Sequence, residues 1–123
     1  MQTSPLGISH IKGIALSAPN SERAHKFYRD TLSLQPVAVD DTEVGYLLGQ
    51  TILMLKSNWH APPSDQLSPR ITIATEHAPD TEEALRARGV SIPDSVQRYG
   101  DSYFGSFLDS EGNKLWFCSP VKK

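Results

Sequence analysis

The residues of this chain best suited to handling a small molecule are Arg70 and Trp116. Arginine carries a rigid fork of N–H donors that fits a carboxylate or a phosphate. Tryptophan offers a flat apolar ring with a single N–H donor. Met54 is adaptable apolar packing, and the small Gly13 and Ala15 leave room for something to approach their strand. Thr72 falls two residues beyond Arg70, on the same side of an extended chain. Trp59 and Tyr103 complete the candidate ligand-contacting set. The chemistry implied is capture of a planar, aromatic or hydrophobic anion. Two arrangements of the set stand open. In one it lines an open cleft, since pockets are mostly apolar with a few placed polar groups. In the other, Trp116 and Met54 plug a closed interior and Arg70 pairs with an internal carboxylate.

The classical catalytic side chains point nowhere as sharply. The four histidines are His10, His25, His60 and His77, and no two are spaced as paired metal ligands on a helix. His25 is expected to face solvent from a helix, and His77 to lie in a turn. His60 stands next to Trp59, where a mobile general base and an ordinary loop histidine are both open. Cys118 reads as an inert buried thiol rather than a nucleophile. The residues assign no catalytic group and no metal or organic cofactor.

The frame that must hold these side chains is bounded by composition. The chain has 123 residues, and a domain typically has about 100–150. The formal charge is -2 without a basic run, which disfavours a nucleic-acid partner. A single cysteine permits no intrachain disulfide and agrees with a cytoplasmic location. No run approaches the ~20 apolar residues of a membrane span, so no membrane partner is expected.

The apolar periods give the same series of elements twice. Residues 8–17 alternate as a strand. Ala24, Phe27, Tyr28 and Leu32 recur at helical spacing, predicting a helix over 21–31 with Asn20 as its cap. A strand follows over 34–39, then the turn Asp40-Asp41, then a hairpin of 45–48 and 51–57 about Gly49-Gln50. Residues 58–69 have no period and read as a loop or linker. The second series has a strand at 70–75 and a helix with Asp80 as cap and Glu83 reaching back to it, ended by Gly89. Strands follow at 96–99, 102–108 and 113–118, the last two joined by the turn residues Asp109-Ser110-Glu111-Gly112. On the side opposite the candidate set lie Ile14, Leu16, Leu53, Leu55, Ile71, Ile73, Leu115 and Phe117, a helix-side core.

Two local motifs accompany this duplication. Phe27-Tyr28-Arg29-Asp30-Thr31-Leu32 ends the first helix, and Phe107-Leu108-Asp109-Ser110-Glu111-Gly112-Asn113-Lys114-Leu115 forms the last hairpin. With them the chain resembles the vicinal oxygen chelate superfamily of glyoxalases, extradiol dioxygenases and the fosfomycin- and bleomycin-resistance proteins. Ser33 stands where the first motif ends in glycine, and Ser110 where the second has proline. The resemblance implies an α+β fold of two βαβββ modules, 8–57 and 70–118, whose curved sheets form a cup with helices outside. It implies homodimers and a small-molecule ligand. It places the superfamily's metal ligands at Gly13, Met54, Arg70 and Trp116, none of which suits a divalent ion. The function so implied is metal-independent binding of the bleomycin-resistance type. The alternative is a glyoxalase- or dioxygenase-like lyase or isomerase with an atypical metal site.

Overall fold

A computed structural model describes residues 5–7, 11–59, 61–67 and 70–121. They belong to two units, Met1–His60 and Ala61–Lys123.

In the first unit β1 (Gly13–Ser17) leads through helix α1 (Ser21–Lys26) to β2 (Gln35–Val39), β3 (Thr42–Leu48) and β4 (Thr51–Lys56). The sheet order is β1-β4-β3-β2, with β1 parallel to β4 and both hairpins antiparallel. β1 begins five residues later than the alternation predicts. Ile8 and His10 fall outside the described residues. Ile11 and Lys12 lie before the strand because β4 starts only at Thr51. Thr51 Oγ1 donates to the Ile11 carbonyl at 2.7 Å in place of a ladder bond.

Asn20 caps α1 as expected, its Oδ1 accepting from the Arg23 N–H at 3.0 Å. The predicted helix over 21–31 is continuous, but its second half, Phe27–Thr31, is wound as a π-helical turn. There the Leu32 N–H donates to the Phe27 carbonyl, five residues back, at 3.0 Å. The chain leaves this turn through Ser33, whose φ of 58° lies in the left-handed region. That backbone explains why the motif this stretch resembles ends in glycine. Asp40 and Asp41 both have positive φ, 51° and 66°, as a tight hairpin turn of the primed type requires. Tyr28, Tyr46, Leu16, Leu53 and Ala24 are buried between sheet and helix, with the two tyrosine rings stacked at 5.9 Å.

The second unit repeats the series: β5 (Thr72–Ala74), α2 (Ala78–Ala87), β6 (Gln97–Tyr99), β7 (Ser102–Leu108) and β8 (Lys114–Pro120). Its order, β5-β8-β7-β6, is that of the first sheet. The pattern of two four-stranded mixed sheets with helices is an α+β fold, as predicted. The helix-side parity also holds on β8, where Leu115, Phe117 and Ser119 are buried and the residues between them are half-buried.

Three local predictions give way to longer-range partners. The strand expected from Arg70 begins at Thr72. Helix α2 starts two residues before Asp80, with His77 at the cap position and no side-chain cap bond. The Ala78 N–H is instead satisfied from β8, by Ser119 Oγ at 2.7 Å. Glu83 makes no capping box. Its neighbour Glu82 accepts from the Val96 N–H at 2.6 Å and the Ser95 hydroxyl at 3.0 Å, and pairs with Arg86 at 2.8 Å. Burial pushes the Glu82 carboxyl up, but these donors outweigh it and hold the group below its ordinary value. The end of α2 is as predicted: Val90 N–H reaches the Leu85 carbonyl and Gly89 N–H the Arg86 carbonyl, both at 3.0 Å, with Gly89 at φ 80°.

The last hairpin is braced by Asp109. Its Oδ1 accepts from the Glu111 and Asn113 N–H groups, each at 2.9 Å, and its Oδ2 from the Asn113 amide at 3.1 Å. Asn113 is fully buried and passes the constraint on. Its Oδ1 accepts from the Ser64 N–H, and the Ser64 carbonyl accepts from the Lys114 N–H, both at 3.0 Å. The stretch 61–67, expected as part of a linker, is therefore docked on the start of β8.

Candidate functional site

Alternation along β8 puts Lys114, Trp116 and Cys118 on the face away from α2. Residues directly opposite one another in a sheet share a face. Thr72 lies opposite Trp116 on β5, and Ser106 and Phe104 lie opposite Trp116 and Cys118 on β7. Ser64 bonds to β8 at Lys114, and Ile71 bonds to it at Trp116. Asp65, Gln66, Leu67 and Arg70 border, with Lys114 and Trp116, a recess of about 210 Å³.

Arg70 precedes β5 but still reaches the predicted neighbour. Its guanidinium carbon is 4.1 Å from the centre of the Trp116 ring. The Lys114 ammonium is 4.6 Å from the same centre, so two cations share one indole. They differ in their other partners. Lys114 is ion-paired with Asp94, and Asp94 also accepts from the buried Ser106 hydroxyl at 2.6 Å. The Lys114 ammonium first, and the Ser106 hydroxyl second, hold the Asp94 carboxyl below its ordinary value. Arg70 has no carboxylate within 4.0 Å among the described residues. The internal acid that the plugged arrangement gives Arg70 is thus not found among the described residues.

In the first unit Gly13, Ala15 and Met54 come together as expected. Ala15 is directly opposite Met54, and a Cβ on Gly13 would stand 3.0 Å from the Met54 methyl. The two units thus repeat one geometry. Met54 reaches over the position two before its partner on β1, and Trp116 meets Arg70, two before its partner on β5.

Two predicted contacts are corrected. Tyr103 lies opposite Ser119, on the helix side of its sheet, where its ring meets His77 edge-on at 5.8 Å. It cannot face the Trp116 recess, because a strand sends odd and even residues to opposite faces. His25 is not solvent-facing. Its Nδ1 is 2.8 Å from the Tyr46 hydroxyl, which donates to the His25 carbonyl at 3.0 Å. Burial, and then the Glu43 carboxylate, push the Tyr46 hydroxyl up to about 12. Trp59 stands 41% exposed beyond the end of β4, in the first unit. His60 lies outside the described residues.

Lys114, Asp94, Ser106 and Gln66 were not among the predicted site residues. Lys114 was legible by its parity with Trp116. Asp94 had no such signal, since a contact across 20 residues leaves no period. The metal-ligand positions do not fit a divalent ion. Gly13 has no donor, Met54 offers a thioether, and the space over Trp116 holds cations. Among the described residues no three His, Cys, Asp or Glu side chains are grouped to hold one.

Comparison with known families finds one matching description, the Glyoxalase/Bleomycin resistance protein/Dioxygenase superfamily, over residues 7–117. No curated protein matches. Several solved structures share the fold at low identity. A Bacillus anthracis protein assigned to the glyoxalase family is 17% identical, with 92% of this chain and 96% of that one covered and a TM-score of 0.77. TnmS3, an antibiotic binding protein from Streptomyces sp. CB03234, is 22% identical, with 92% and 97% covered and a TM-score of 0.76. Lactoylglutathione lyase from Agrobacterium tumefaciens is 20% identical, with 90% and 93% covered and a TM-score of 0.68.

Proposed function

The chain belongs to the Glyoxalase/Bleomycin resistance protein/Dioxygenase superfamily, and from that premise we propose that it binds an aromatic or hydrophobic anion without using a metal. The observation that carries this reading is the Arg70 guanidinium on the Trp116 ring, with no ion pair to any described residue. Stacking uses the faces of a guanidinium. Its N–H bonds lie in the plane and stay available for a carboxylate fork. Trp116 therefore orients Arg70 and supplies apolar surface beside it. The antibiotic-binding role of TnmS3 agrees with sequestration as the purpose. Ligand contacts are proposed for Arg70, Thr72 and Trp116 in the second unit and for Gly13, Ala15 and Met54 in the first. The proposal includes a homodimer and a cytoplasmic location.

The test is thermal unfolding across a panel of aromatic carboxylates and sulfonates, with the metal content of protein purified without chelator measured alongside. A ligand that binds the native state raises the midpoint by mass action. The rise is expected in the wild type and should be lost in Arg70→Ala and Trp116→Ala. A panel without any response, or stoichiometric Zn, Ni, Mn or Fe, would overturn the reading.

A further inference from the structure

Resting on that reading, we infer that the recess selects singly charged anions over doubly charged ones, and that Asp94 is the positioning residue that sets this preference. Two cations border the recess, which taken alone would favour a dianion such as a phosphate monoester. The charged groups about it are Asp65 and Arg70 ahead of β5, Lys114 on β8, and Asp94 ahead of β6. They sum to zero. Asp94 balances Lys114 directly, at ion-pair distance, and feels Arg70 only as the last and smallest of the effects on it. Its carboxylate is fixed from behind by Ser106 Oγ at 2.6 Å, while its own N–H donates to the same oxygen at 3.1 Å. Asp65 stands at the rim and adds repulsion for a second negative charge. Arg70 is left as the one cation at the recess without a carboxylate within 4.0 Å among the described residues. It matches one negative charge.

Isothermal titration of two probes with the same ring, naphthalene-2-sulfonate and 2-naphthyl phosphate, tests this on the whole chain. The sulfonate stays singly charged at every working pH. The phosphate gains its second charge near pH 6. At pH 8 the wild type should bind the sulfonate about tenfold or more tightly than the phosphate, the effect of one partly screened charge. At pH 5 the two should converge, through a gain by the phosphate alone. Asp94→Asn should narrow the pH 8 ratio by about tenfold, because it frees Lys114 for the second charge. Asp94→Ser should do the same if the asparagine variant folds poorly. A ratio of two affinities on one sample does not move with the fraction folded, so a merely structural role for Asp94 would leave it unchanged. Equal affinities in the wild type at pH 8 would overturn the selectivity. An unchanged ratio in both variants would overturn the role of Asp94. Both results leave the anion-binding reading standing. Failure of both probes to bind at every pH would remove that reading as well.

Discussion

A guanidinium laid on an indole keeps all of its hydrogen-bonding edges, and this makes Arg70 more than a packing residue. Its partnership with Trp116 was legible in the sequence because strand parity carries through to the residue just ahead of β5. Tyr103 shows where parity reading needs the right register. An aromatic on a strand can serve either face, and the pairing of Tyr103 with Ser119 sends it to the helix side. The chemistry of Tyr46 was not legible, because burial and the approach of Glu43 are tertiary events. Those surroundings make a measurable prediction. The folded chain holds the Tyr46 hydroxyl near 12, from an ordinary value of 10.0. A raised value means the protonated form is favoured by folding. Its stabilisation is complete below about pH 10 and is lost as pH climbs through 12, by about 3 kcal/mol in all. Urea denaturation from pH 8 to 12 should show that loss in the wild type. In Tyr46→Phe the alkaline slope should be shallower.

At the level of elements, type and order followed from apolar period, while ends were decided by distant partners. α2 begins where Ser119 offers an oxygen to Ala78, not where the local sequence offers a cap. α1 continues into a π-helical turn that no composition signal marks. Gly45 illustrates a constraint of the same kind. It is buried in β3, and a Cβ there would come within 2.2 Å of the Leu53 carbonyl oxygen on β4. Backbone cannot yield as a flexible side chain does. Gly45→Ala should therefore destabilise the chain by about 2 kcal/mol or more, read as a lower urea midpoint with unchanged slope. Gly13→Ala should cost far less, since its nearest contact is the movable Met54 methyl at 3.0 Å.

For the whole molecule, the duplication was the most legible property. Strand, helix and three strands recur with the same sheet order in both units, although few residues are shared between them. What duplication did not convey was the fate of the connecting stretch. Its later part belongs to the second unit and is tied to Asn113 and Lys114, a contact that no periodicity encodes. Association of chains is likewise not written in either sheet. For the proposed homodimer, sedimentation equilibrium should return twice the chain mass of 13.6 kDa. A single-chain mass would remove the dimer without touching the Arg70 site. The chain has two tryptophans, and one of them lies beneath the guanidinium that is proposed to meet the ligand. An indole's emission responds to the electric field around it, so a bound anion that offsets the Arg70 charge must change the colour of Trp116. Trp59 also emits, and comparison with Trp116→Phe isolates its share. The protein thus carries its own optical reporter of occupancy, and Trp116→Phe would silence it.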